Sequence, residues 1–120
     1  NILLMLNPIN KEIIKFDLYT NNQSSIPFNS TPEDMTLTKD GSLYVSSPQG
    51  VLNSVNIETG SISPYNTNLD ISGIKYANDE IYILEKNSKS MSIFNINKKE
   101  LKKEKIDLGT VTKEITFFNE

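Results

Sequence analysis

Apolar residues in this chain alternate with polar ones in short runs, and turn-forming residues separate the runs. The clearest stretch spans Pro32 to Gly60. Met35 and Leu37 alternate there with polar neighbours, the pattern of a strand with one buried face. Lys39-Asp40-Gly41-Ser42 follows, and an Asp-Gly pair tolerates the positive φ of a two-residue hairpin. Leu43-Tyr44-Val45 is apolar throughout, as expected of a strand packed on both faces. Ser46-Ser47-Pro48-Gln49-Gly50 interrupts it, because proline lacks a ladder donor and glycine frees the backbone. Val51 to Ile57 predicts a third strand, and Glu58-Thr59-Gly60-Ser61 turns the chain into a fourth, Ser61 to Tyr65.

The same pattern recurs on either side. Leu43-Tyr44-Val45 matches Ile81-Tyr82-Ile83 at a spacing of 38, and Leu3-Leu4-Met5 precedes it by 40. Phe16-Asp17-Leu18, Val55-Asn56-Ile57 and Phe94-Asn95-Ile96 stand 39 apart at each step. Met35 and Leu37 recur as Ile74 and Tyr76, then as Ile115 and Phe117. A period of about 40 residues with four strands per copy is the signature of β-propeller blades, so the predicted fold is all-β. Counting outwards from the axis, residues 2–28 supply the second to fourth strands of a split blade. Full blades follow at 32–65 and 70–107, and 111–118 is a lone innermost strand. About three blades result, a single domain that is a partial propeller or half of a six-bladed ring. Propellers close with about four to eight blades, so the predicted completion is the remainder of a longer propeller or a homodimer.

Composition narrows the function. A net charge of −3 predicts no nucleic-acid partner, and the twelve basic residues are all lysine, without the arginine fork that reads phosphate and guanine. Cysteine and histidine are absent, so thiolate sites, disulfides and imidazole catalysis are excluded. No apolar run is long enough for a membrane helix. Ile2 to Leu6 lacks the basic flank and cleavage site of a signal peptide and is read as a strand. The first residue is Asn rather than Met, which points to processing or truncation.

Pro32-Glu33-Asp34-Met35, Asp40-Gly41-Ser42-Leu43-Tyr44-Val45 and Asn56-Ile57-Glu58-Thr59-Gly60 resemble the blade consensus of NHL-type, gluconolactonase-like and surface-layer propellers. The best motif covers only the middle blade, and it speaks for fold more than for activity. The resemblance implies either a scaffold that binds or a metal-dependent lactonase. The histidine of the lyase members is missing, as are the tryptophans of the quinone-dependent members.

Glu33, Asp34 and Asp70 fall where blades enter their innermost strands. Carboxylates converging on an axis would suit a hard cation such as Ca²⁺; the alternative is that they stay solvated or satisfy nearby backbone donors. No other cofactor is expected. Ser47, Gln49, Glu85, Lys86 and Asn87 lie in loops on one face of the propeller and are the candidate ligand-binding residues. The lysine-rich run Lys98 to Lys105 is read as protection of an outer strand edge. Tyr44, Tyr76, Tyr82, Phe94, Phe117 and Phe118 are read as packing between blades. No catalytic residue is assigned. The expected function is a non-catalytic module for a protein or glycan ligand, with a lactonase-like hydrolase or a structural segment of a longer propeller as alternatives. No segment fixes a compartment; an extracellular or cell-surface setting is favoured over the cytoplasm.

Overall fold

The computed structural model describes residues 1–118. Three antiparallel sheets follow one another along the chain. The first holds β1 (Ile2–Asn7), β2 (Glu12–Asp17) and β3 (Gln23–Pro27) in sequential order. The second holds β4 (Asp34–Leu37), β5 (Leu43–Ser47), β6 (Val51–Val55) and β7 (Ile62–Asn66). The third holds β8 (Ile71–Ala77), β9 (Glu80–Glu85) and β10 (Ser90–Asn95), edged by two short strands that both pair with β10. These are β11 (Glu100–Leu101) and β12 (Ile106–Asp107), so the outermost strand of this sheet is broken by Lys102 to Lys105.

The sheets stack face to face because the period-2 pattern gives the middle one two apolar faces. Leu43, Val45 and Val55 point to the first sheet and bury against Ile13, Ile26 and Phe28. Tyr44 and Leu52 point the other way, into a cluster with Ile71, Ile74, Ile81, Ile83 and Phe94. Within it Phe94 meets Tyr65 edge-on at 4.9 Å and Tyr44 at 6.2 Å, the tilted geometry that aromatic pairs favour. Strand LYV is thus buried on both sides, as its composition predicts.

Three local expectations need correction. The turn after β4 is not a two-residue hairpin: Leu37 pairs with Leu43, and five residues lie between them. Thr38 explains it, since its hydroxyl donates to Asp40 Oδ1 at 2.5 Å and accepts from the Ser42 amide at 3.0 Å, stabilising a wider loop. Residues 111–118, expected as an innermost strand, pair with no strand among the described residues. They run beside β8 instead: Lys113 O lies 3.8 Å from where a Cβ on Gly73 would stand, and the Phe117 ring lies 5.0 Å from Tyr82. Among the described residues, the sheet with three strands, β1–β3, lies two blades away from them. The aromatic reading fails in the same segment, where Phe117 is 40% and Phe118 91% exposed.

Candidate functional site

The second and third sheets are latched at their innermost strands. Asp34 Oδ2 accepts the Ile74 amide at 2.9 Å, and Thr36 Oγ1 accepts the Tyr76 amide at 3.0 Å. Two residues on one strand thus satisfy two amides of the next, forty residues on, where no strand-to-strand ladder exists. The other Asp34 oxygen accepts the Met35 amide at 2.9 Å. Asp34 is accordingly engaged with backbone donors at the axis. Glu33 is exposed, and Asp70 is exposed with its carboxylate 3.9 Å from Lys86 Nζ, an ion pair of little energetic weight. The three carboxylates are not brought together. Among the described residues, no three His, Cys, Asp or Glu side chains are close enough to hold a metal ion.

Beside the latch, two adjoining hollows open between β8 and residues 111–115. One, of about 320 Å³, is lined by Asp34, Ser72, Lys75, Lys113 and Glu114 with apolar Ile74 and Leu84 at its base. The other, of about 300 Å³, is lined by Glu85, Lys86, Asn87, Val111 and Thr112 and shares Ser72 and Lys113 with the first. The β9–β10 loop therefore places three of the expected ligand residues, Glu85, Lys86 and Asn87, on one groove. Asn87 holds a left-handed backbone (φ 53°), which asparagine tolerates, and this turns the loop over the groove. Glu85 is oriented by Ser92 Oγ at 2.8 Å and by Lys105 Nζ at 3.0 Å.

The other two expected residues lie elsewhere. Ser47 is 1% exposed, and its hydroxyl accepts a 3.1 Å hydrogen bond from the Asn53 amide, which also donates to Val45 O. Gln49 is exposed on the turn Pro48–Gly50, in a left-handed conformation (φ 68°), and does not line the groove. Sequence reasoning missed Ser72, Lys75 and Lys113, because nothing in their local pattern distinguishes a strand-edge residue facing the axis from one facing solvent. It also missed that the lysine run folds back. Lys102 pairs with Glu80, whose hydrogen bond raises the ammonium pKa. The Tyr82 hydroxyl meets Glu80 at 3.1 Å, and its pKa is raised first by burial and then by that carboxylate.

Antiparallel sheets of three to five strands that stack face to face, the second and third latched at their inner edges, define a β-propeller-like fold. Comparison with solved structures gives the same class. U3-55K superposes with a TM-score of 0.73 at 14% identity, over 88% of this chain and 36% of that one. Kuenenia stuttgartiensis hydrazine synthase gives 0.71 at 18% identity, over 88% of this chain and 31% of that one. A structure of the nidogen/laminin complex gives 0.71 at 10% identity, over 88% and 42%. The chain thus spans roughly a third of the length of the structures it matches, and the likeness is one of fold. No protein-family model and no curated protein sequence matches the chain. Among the described residues, no helix is long and apolar enough to cross a membrane.

Proposed function

We propose that this chain is a non-catalytic propeller module that binds a polar protein or glycan surface in the groove between β8 and residues 111–115. The observation that carries it is the lining of that groove. Carboxylates, ammonium groups, an amide and hydroxyls converge there from two loops and a strand edge, over an apolar floor. Such a surface offers hydrogen bonds of both senses without an activated nucleophile, which suits recognition rather than bond breaking. The motif Asp40 to Val45 with Thr59-Gly60 supports placing the blades nearest the NHL-type, gluconolactonase-like and surface-layer group.

Titration of the isotope-labelled chain with a panel of neutral and charged oligosaccharides and peptides tests this by amide shifts. Expected are shifts concentrated on Ser72, Glu85 to Asn87 and Thr112-Lys113, and a roughly tenfold loss of affinity in Lys86→Ala. Shifts confined to another face would overturn the proposal. So would Ca²⁺-dependent hydrolysis of a simple lactone that is lost in Asp34→Ala, which would establish the hydrolase instead.

A further inference from the structure

Each sheet ends in an outer strand at the rim of the stack: β3, β7 and the broken pair β11 and β12. Such a strand turns one row of backbone groups inward to its neighbour and the other row outward, where another chain can pair with it. The bonds at the strand ends fix which residues form each row. Lys11 O accepts the Phe28 backbone amide and Asn22 O accepts that of Asp17, so the inward row of β3 is Asn22, Ser24, Ile26 and Phe28. Gln23, Ser25 and Pro27 point outward. In β7 the Thr67 backbone amide donates to Gly50 O, and that of Asn56 donates to Ser61 O, which leaves Ile62, Pro64 and Asn66 outward. After β11 the Lys102 backbone amide donates to Ile93 O, which leaves Leu101 and Lys103 outward.

The three rows are equivalent, because Gln23, Ile62 and Leu101 stand opposite the repeat positions Phe16, Val55 and Phe94. The next outward position is then Ser25, Pro64 and Lys103. In the middle blade proline removes the N–H that would be the central donor of the rim. In the third, a charged lysine lies in the break between β11 and β12. Both devices keep a rim from pairing with another chain. The first blade has neither. Gln23 and Ser25 are exposed, and their backbone groups make no other hydrogen bond among the described residues. No charged residue stands between Asp17 and Glu33. The rim lies outside the stack, so a further blade would pack on the face of a sheet and leave it as it is.

We infer that the β3 rim is a strand-addition site, which takes an extended, uncharged peptide segment of another protein. The groups on offer belong to the main chain, which an extended polypeptide matches and a glycan does not. The incoming strand runs antiparallel to β3. It exchanges both bonds with Gln23 and both with Ser25, and it donates one to the Pro27 carbonyl. With no charge from Leu18 to Pro32, the rim offers an ionic residue no counter-charge, so hydroxyl, amide and apolar side chains fit it. Leu18 and Tyr19, exposed at the hairpin tip that leads into β3, add apolar surface at its end. A second copy fits less well. Its matching rim is its own β3, and 5 residues a side fall far short of the roughly 20–30 of a stable interface. The site is separate from the groove beside β8 and does not rest on that reading.

The probe is a short capped peptide of alternating threonine and valine, added to the isotope-labelled full chain. Expected are saturable amide shifts centred on Gln23 and Ser25, with binding about tenfold weaker in Ser25→Pro. Ser25→Ala is expected to bind as the unchanged chain does, since the main chain is what is recognised. Ser25→Pro spares the β2–β3 ladder, because the N–H it removes faces outward, as at Pro64. A second measurement leaves the chain untouched. Methylating the peptide amides that face the rim removes their donors and is expected to abolish binding. Shifts confined to the groove or to any surface other than β3, equal binding by Ser25→Pro, or binding that survives methylation would overturn the inference. So would self-association of the chain that excludes the peptide and is lost in Ser25→Pro, which would give the rim to a second copy.

Discussion

Single residues in this protein do work that their type does not announce. Gly50 has a left-handed φ of +75°, and a Cβ there would stand 2.2 Å from the Leu69 carbonyl oxygen, a backbone atom that cannot move aside. Its own carbonyl accepts the Thr67 hydroxyl at 2.6 Å and the Thr67 amide at 2.9 Å, fixing the loop that leads into β8. Gly60 has a similar φ of +79° with open space around it. Gly50→Ala is therefore expected to lose about 3 kcal/mol or more of stability in urea unfolding, and Gly60→Ala about 1 kcal/mol. The sequence marks both glycines as turn residues. Only the close approach of a loop 19 residues further along separates them, and no local pattern carries that information. Asp34 is the same case at the candidate site. A carboxylate at the start of a strand reads as a metal ligand, a solvated group or a partner of backbone donors, and only the neighbouring blade's amide shows that Asp34 is the last of these.

At the scale of elements, most strands were legible because β-branched and apolar residues alternate between turns rich in Asn, Asp, Gly and Ser. The strand limits and the turn types were less so. The β4–β5 connection is set by side chains, with Asp40 accepting the Thr38 hydroxyl and then the Ser42 amide; these bonds lower its pKa below the ordinary 3.8. The carboxylate is fully exposed, so the effect is a matter of direction. A lowered folded-state pKa contributes stability above the unfolded value and loses it as pH falls through the folded one. Wild type is thus expected to be more stable than Asp40→Asn above about pH 4, with the gap closing as pH drops below that. Denaturant midpoints of the two proteins across pH 2 to 7 measure it; a gap that widens on acidification would contradict the assignment. The broken outer strand of the third sheet escaped sequence reading for a related reason. The side chains of Lys102 and Lys105 pair with Glu80 and Glu85, partners that alternation alone does not reveal.

Taken whole, the molecule is a set of sheets whose apolar faces shield one another, and the forty-residue period made that arrangement readable. Half of the groove was readable too, through the loop Glu85-Lys86-Asn87. The other half was not, because it is made by residues 111–115 crossing beside β8, and such a crossing depends on tertiary placement. What separates stacked, latched blades from three independent sheets is the fate of two amides. Ile74 and Tyr76 point out of their own sheet and are satisfied only by Asp34 and Thr36 of the neighbouring one. Native-state hydrogen exchange of these two amides is therefore the most direct measurement. Latched blades predict protection comparable to the amides of β9 and β5, lost at both positions together in Asp34→Ala with Thr36→Val while β9 stays protected. Exchange of Ile74 and Tyr76 in the wild type as fast as that of loop amides would contradict the account.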